Sequence, residues 1–142
     1  MAITRKGSAK WSGGLKDGKG FVSTESGAID GHPYGFAMRF EGVKGTNPEE
    51  LVGAAHASCF AMALSMMLEK AGYKADSLDA TSAVDLEQTD GGFAIPRVRL
   101  TLKAAVPNLD EEEFQKIAAE AKAGCPISKL LKAEITLDAT LA

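Results

Sequence analysis

The chain has 142 residues, a length typical of one domain, and its hydrophobic and charged fractions of 45% and 25% exclude a disordered or fibrous protein. A formal net charge of −3, without a cluster of lysine and arginine, argues against a nucleic-acid-binding protein. No secretory signal, repeat or linker is visible, so we predict a single cytoplasmic domain over residues 1–142.

The first forty residues have the pattern of three β-strands separated by turns that contain glycine. The predicted strands cover residues 3–11, 20–28 and 34–41, and the third of them carries Arg39. A long helix follows, from Pro48 to about residue 71. Asn47 is its predicted N-cap, with Glu50 in the capping-box position.

The central part of this helix, residues 51–68, contains no charged residue and is long enough to raise the question of a membrane span. We reject that interpretation, because the segment is rich in alanine and serine and lacks flanking basic and aromatic residues. A helix that is apolar on all sides in a soluble chain is one that is buried. Because so short a chain cannot easily cover it, we predict a homodimer.

The second half of the chain begins with a predicted hairpin of strands 78–88 and 93–106, where Pro96 indicates a sheet edge or a bulge. A helix then ends at Gly124, with Asp110 as its N-cap and Glu113 completing a capping box. A short helix from Pro126 to about residue 132 and a last strand over 134–141 follow. The predicted order is βββ-α-ββ-α-α-β, an α+β fold with mostly antiparallel pairing.

The only two cysteines are Cys59, within the long helix, and Cys125, at the start of the short one. They indicate either a redox pair or two inert core cysteines. The reactive form of a cysteine is the thiolate. Burial raises the pKa of a thiol in an apolar helix, whereas a helix start lowers it. The residues alone therefore favour Cys125 as the first nucleophile, and a reactive Cys59 requires a cation from elsewhere in the fold.

Arg39 is the arginine most suited to that role, since it lies among apolar residues shortly before the long helix. An arginine in such surroundings needs a carboxylate partner, and Glu49 and Glu50 are the nearest in sequence. A plain surface arginine is the alternative interpretation.

His56 precedes Cys59 by one helical turn, so that both side chains can share one helix face. It is a candidate base for the thiol, or a metal ligand together with both cysteines and a glutamate. The third interpretation, a buried histidine satisfied by hydrogen bonds, is favoured. The metal interpretation is weak, because no close-spaced cysteine pair or second histidine pair accompanies it.

Four segments form longer motifs: Gly-Thr-Asn-Pro-Glu-Glu-Leu at 45–51, Ala-Ala-His-Ala-Ser-Cys-Phe at 54–60, Ala-Gly-Cys-Pro-Ile-Ser at 123–128 and Lys-Ala-Glu-Ile-Thr-Leu at 132–137. Together they closely resemble the OsmC family, over nearly the whole chain. The likeness is closer to OsmC proper than to its sister group, the organic hydroperoxide resistance proteins.

This resemblance implies an OsmC-like fold in an intertwined homodimer, with active sites at the subunit interface. It implies a thiol-dependent peroxidase that prefers organic hydroperoxides, in which Cys59 attacks the peroxide and Cys125 resolves the product as a disulfide. It further implies that a strand arginine, Arg39, and Glu49 support the thiolate. No metal or other cofactor is implied, and an external dithiol, such as a dihydrolipoyl group, restores the thiols. The assignment of Cys59 as the nucleophile, which the resemblance implies, replaces the preference for Cys125 that the residues alone gave.

A non-enzymatic redox sensor, or a ligand-binding dimer with a structural disulfide, is the alternative function. In the chain-entropy model a bridge between Cys59 and Cys125 stabilises the fold by about 4 kcal/mol. Reduction would then destabilise a structural disulfide protein, whereas a catalytic pair should cycle with little loss of structure.

Overall fold

The computed structural model describes all residues, 1–142, and shows an α+β arrangement with two three-stranded sheets. The chain divides into two compact units, Met1–Leu51 and Val52–Ala142. The single domain over 1–142 stays a prediction.

The first unit contains an antiparallel sheet in the order β1 (Gly7–Ser12), β2 (Lys19–Thr24) and β3 (His32–Tyr34), followed by a short helix, α1 (Phe36–Phe40). The first two predicted strands are therefore present but shorter than expected, whereas β3 overlaps the predicted strand over 34–41 only at Tyr34.

The predicted strand over 34–41 is wrong beyond Tyr34, because Arg39 lies on helix α1 rather than on a strand. The amide of Arg39 donates to the carbonyl of Gly35, as in a helix. The rings of Phe36 and Phe40 are in contact, with their centroids 4.9 Å apart and their planes tilted by 44°. Residues four positions apart lie on the same side of a helix and also on the same side of a strand. The apolar pattern in this segment is therefore compatible with either structure.

Helix α2 (Pro48–Lys70) connects the two units, and its predicted bounds are confirmed. Asn47 Oδ1 accepts the amide of Glu50 at 2.8 Å, so the predicted cap is present. Gly72 follows the helix with φ of 90°, a conformation that glycine adopts without strain.

Only one face of α2 is buried within the chain, as expected for a helix that so short a chain cannot cover alone. The homodimer that would cover its other faces stays a prediction. The buried residues recur every three or four positions: Gly53, His56, Phe60, Leu64 and Leu68. Met62 and Met66, on the opposite side, are 76% and 50% exposed. By length and composition alone α2 is long and apolar enough to cross a membrane. The core helix of a soluble protein meets the same two criteria.

The sheet of the second unit has the order β4-β5-β6, formed by β4 (Ser77–Thr89), β5 (Gly92–Ala105) and β6 (Glu134–Leu141). Strands β4 and β5 form the predicted antiparallel hairpin, and β6 runs parallel to β5. The register shifts where Asp85 pairs with Arg97 and Glu87 with Ala94, which places Pro96 in the bulge that its residue type predicts.

Helices α3 (Glu111–Gly124) and α4 (Pro126–Leu130) complete the second unit. Asp110 caps α3 by accepting the amide of Glu113 at 2.8 Å. The predicted capping box is wrong in its second half, because the Glu113 carboxylate instead accepts the hydroxyl of Tyr73 at 2.9 Å. The core is formed by the inner faces of α2, β5 and α3 and includes Cys125, which is fully buried.

Candidate active site

The two cysteines meet in the second unit although they come from different helices. Their sulfurs are 3.0 Å apart and both thiols are free. Cys125 is the residue between α3 and α4: its amide donates to Ala121 and its carbonyl accepts from Lys129. Because a disulfide bond is about 2.05 Å long, a closure of roughly 1 Å joins the two sulfurs. Cys125 is fully buried, whereas Cys59 is partly exposed.

The two thiols differ in acidity. Burial raises the pKa of Cys59, and the hydrogen bond shared with Cys125 raises it further. Burial also opposes ionisation of Cys125, but the pKa of Cys125 is lowered because the Cys59 thiol, the Ser128 amide and hydroxyl, and the amide of Ile127 favour its thiolate. No full capping hydrogen bond joins the Cys125 side chain to α4, so these groups act as nearby dipoles. The prediction that Cys125 is the more acidic thiol agrees with this arrangement.

Arg39 and Glu49 form an ion pair within the first unit. The guanidinium donates through Nη2 to Glu49 Oε1 at 2.8 Å and through Nε to the same oxygen at 3.1 Å. The Glu49 side chain is 11% exposed, whereas that of Arg39 is 37% exposed. Arg39 also lies over the ring of Phe40, at 5.4 Å from its centroid. The carboxylate partner anticipated from the sequence is thus Glu49, while Glu50 serves the helix cap.

Both ring nitrogens of the fully buried His56 bond to serine hydroxyls. Nδ1 lies 3.1 Å from Ser82 Oγ and Nε2 lies 2.8 Å from Ser128 Oγ. The favoured interpretation, a buried and satisfied histidine, therefore describes this residue. Burial lowers the pKa of His56, so the ring is neutral at physiological pH. A direct hydrogen bond from His56 to Cys59, and a metal corner built on this ring, do not fit these bonds.

A protein-family model for OsmC-like proteins matches residues 41–140. The chain is 58% identical to the peroxiredoxin OsmC of Escherichia coli (strain K12), over 97% of this chain and 96% of that protein. The chain belongs to the OsmC family.

More distant OsmC-family relatives include an organic hydroperoxide resistance protein of Xanthomonas axonopodis pv. citri, 34% identical over 71% of this chain and 70% of that protein. The crystal structure of the organic hydroperoxide resistance protein OhrB of Bacillus subtilis superposes with a TM-score of 0.70 at 28% identity, covering 99% of this chain and 98% of that one. The OsmC-like fold expected from the motifs is therefore confirmed.

Two further features of this OsmC-family chain bear on its chemistry. A small aromatic cleft of about 190 Å³ borders Arg39 in the first unit and is lined by Trp11, Leu15, Tyr34, Gly35, Phe36, Arg39 and Phe40. No group of three or more histidine, cysteine, aspartate or glutamate side chains is arranged to hold a metal ion. Peroxiredoxin-type chemistry is consistent with a site that uses side chains alone.

Sequence reasoning missed Ser82 and Ser128, the partners of His56. Ser82 is distant from His56 in sequence, and only the packing of β4 against α2 brings the two side chains close. One signal for this contact is Gly53: a Cβ added there would lie 2.8 Å from the Ser82 carbonyl oxygen, so glycine permits a close helix–strand approach. Ser128 carries a weaker signal, because it stands one helical turn after Cys125.

Proposed function

We propose that this chain is a cysteine-based peroxidase that reduces organic hydroperoxides to alcohols. The single observation that carries the proposal is the pair of free thiols 3.0 Å apart in an OsmC-family chain. Relatives named peroxiredoxin and organic hydroperoxide resistance protein support the same chemistry. A structural disulfide explains neither the partial exposure of Cys59 nor the groups that favour ionisation of Cys125.

The proposed reaction begins with the Cys59 thiolate attacking the distal oxygen of the hydroperoxide. The O–O bond breaks, the alkoxide takes a proton and leaves as the alcohol, and Cys59 becomes a sulfenic acid. The Cys125 thiolate then attacks the Cys59 sulfur, and hydroxide leaves with a proton as water. The product is a Cys59–Cys125 disulfide, and the peroxide has received two electrons from the two thiols.

Arg39 and Glu49 are proposed to favour the Cys59 thiolate, with Arg39 supplying the positive charge and Glu49 holding the guanidinium in place. The two hydrogen bonds from the Arg39 guanidinium to Glu49 Oε1 support the second part of this assignment. Burial and the neighbouring thiol raise the pKa of Cys59, so a nearby positive charge is needed to favour its thiolate.

A homodimer is proposed to complete the site, as the family resemblance implies. Within one chain the outer face of α2 is unpaired and includes Met62, which is 76% exposed. Exposed methionine side chains on an apolar helix are typical of an interface rather than of a solvated surface. We therefore assign α2 to a subunit interface and not to a membrane, and we propose a cytoplasmic protein.

Met62→Glu is expected to reduce the dimeric mass, measured by light scattering after size exclusion, to that of one chain at micromolar concentration. A buried carboxylate without a partner opposes association by several kcal/mol. The matched control is Ala119→Glu, which places the same charge on an exposed position of α3 and should leave the mass unchanged. A dimer of undiminished stability in Met62→Glu would remove α2 from the interface.

A dithiol is proposed as the reductant, because a second thiol of the same molecule can displace the mixed disulfide that the first one forms. A dihydrolipoyl group is the candidate suggested by the family.

Steady-state peroxide consumption with excess dihydrolipoamide tests this function directly. Cumene hydroperoxide is expected to react with a kcat/KM at least about tenfold above that of hydrogen peroxide, because removing its aryl body from water favours binding to an apolar site. Glutathione in place of the dithiol is the matched reductant control and should support slower turnover. No turnover with several dithiols, although the disulfide forms and is reducible, would contradict the peroxidase and favour a stoichiometric sensor.

A further inference from the structure

Hydrogen-bonded polar groups lead from strand β4 through His56 to Ser128, one helical turn after Cys125. Ser82 Oγ bonds to one nitrogen of His56, and the other nitrogen bonds to Ser128 Oγ. Ser128 stands one helical turn after Cys125, and its hydroxyl favours the Cys125 thiolate. His56 is fully buried and Ser128 is 7% exposed. Neither the peroxide step nor the Arg39–Glu49 pair uses these groups, so they need another explanation.

The hydrogen-bonding capacity of these groups fixes the direction of the hydrogen bonds between them. A serine hydroxyl has one hydrogen to donate, and a neutral imidazole has one donor and one acceptor nitrogen. When Ser128 donates to the Cys125 thiolate, its oxygen must accept from His56, which places the ring hydrogen on Nε2. His56 Nδ1 then accepts from the hydroxyl of Ser82. Every hydrogen points toward Cys125, and no buried polar side-chain atom lacks a partner.

We propose that His56, held by Ser82, is a positioning residue that locks the Ser128 hydroxyl as a donor to the Cys125 thiolate, and thereby makes Cys125 the sulfur that leaves when the disulfide is reduced. This inference rests on the proposed redox cycle. It extends that cycle by assigning roles to His56, Ser82 and Ser128, and by specifying which sulfur the reductant attacks.

The direction of reduction follows from leaving-group chemistry and access. In thiol–disulfide exchange the more acidic thiol leaves faster. A dithiol thiolate therefore attacks the partly exposed Cys59 sulfur, breaks its bond to Cys125 and releases the Cys125 thiolate to the Ser128 hydroxyl. The second thiol of the reductant, after losing its proton, then attacks the reductant's own sulfur in the mixed disulfide. The dithiol leaves as a cyclic disulfide and the Cys59 thiolate is restored, so two electrons enter the protein.

Ultraviolet titration of the Cys125 thiolate tests this positioning without using hydroperoxide or turnover. In a Cys59→Ser background, which leaves one thiol, absorbance at 240 nm is followed against pH. Ser128→Ala and His56→Leu are each expected to lower the ionisation constant of Cys125 by about tenfold, the effect of one lost hydrogen bond to a charge. His56→Gln, whose amide can donate to Ser128 and accept from Ser82, should restore most of the loss.

The matched control is Ser65→Ala. It removes an exposed hydroxyl from α2, the helix that carries His56, and should not change the titration of Cys125. The site of attack is tested separately, in the protein that retains both cysteines. Its disulfide form is reduced with dithiothreitol, the reaction is quenched before completion, and mass spectrometry should find the reductant attached to Cys59. An unchanged titration in Ser128→Ala, or a reductant adduct on Cys125, would overturn the inference. So would a His56→Gln variant as impaired as His56→Leu. Since the titration needs no activity, failure of the peroxidase assay leaves its outcome readable.

Discussion

Cys59→Ser is expected to lower kcat/KM for cumene hydroperoxide by at least about 10³-fold, to the rate without protein, because a hydroxyl is not ionised at neutral pH and cannot replace the thiolate. The fold should persist, since Cys59 is partly exposed and the substitution changes one atom. Peroxide consumption and unfolding in urea measure the two effects in the same preparation.

The matched variant is Cys125→Ser, which keeps the nucleophile and removes the resolving thiol. It is expected to consume one equivalent of hydroperoxide per subunit in a burst and then to turn over at least about tenfold more slowly, because the sulfenic acid has no neighbouring thiol. Mass spectrometry should show an oxygen adduct on Cys59 after the burst. Multiple turnover at the normal rate in either variant would contradict the assigned roles.

Helices α2, α3 and α4 were largely predictable because each has a local start or stop signal. Asn47 caps α2 and Asp110 caps α3, and both side chains accept the amide hydrogen bond that their residue type predicts. The bulge at Pro96 follows from a single residue that cannot donate to the ladder. Such features depend on neighbours in sequence and need no knowledge of the tertiary fold.

The errors arose where local patterns are ambiguous or where distant segments decide. The alternation around Arg39 suits a strand and a short helix equally, and the helix forms. The Glu113 carboxylate bonds Tyr73, forty positions away, instead of its own cap.

The candidate site was predictable in part for the same reasons. The Arg39–Glu49 pair could be anticipated, because an arginine among apolar residues must find a nearby carboxylate. The lowered pKa of Cys125 was predictable only in part, because the Cys59 thiol favours the Cys125 thiolate more than the Ser128 and Ile127 amides at the start of α4 do. The serine partners of His56 could not be deduced, since a serine has no sequence pattern that identifies its hydrogen-bond partner across the fold.

Arg39→Gln is expected to lower kcat/KM for cumene hydroperoxide by about 10²-fold, because removing a cation close to a thiolate costs one to three pKa units of stabilisation. The free energy of unfolding should change by less than about 1 kcal/mol, since a partly exposed ion pair contributes little to stability. A large loss of activity with a small loss of stability distinguishes a role in the reaction from a structural one.

The matched control is Arg99→Gln, which removes an arginine paired with Asp85 on an exposed sheet face and should leave kcat/KM within about twofold. Glu49→Gln should cost less than Arg39→Gln, about tenfold, because the cation remains but is held less firmly. In a Cys125→Ser background, the pH dependence of peroxide attack should move to higher pH in Arg39→Gln as the Cys59 thiolate loses its partner. An unchanged pH profile together with normal kcat/KM would exclude Arg39 from the active site and require another cation for Cys59.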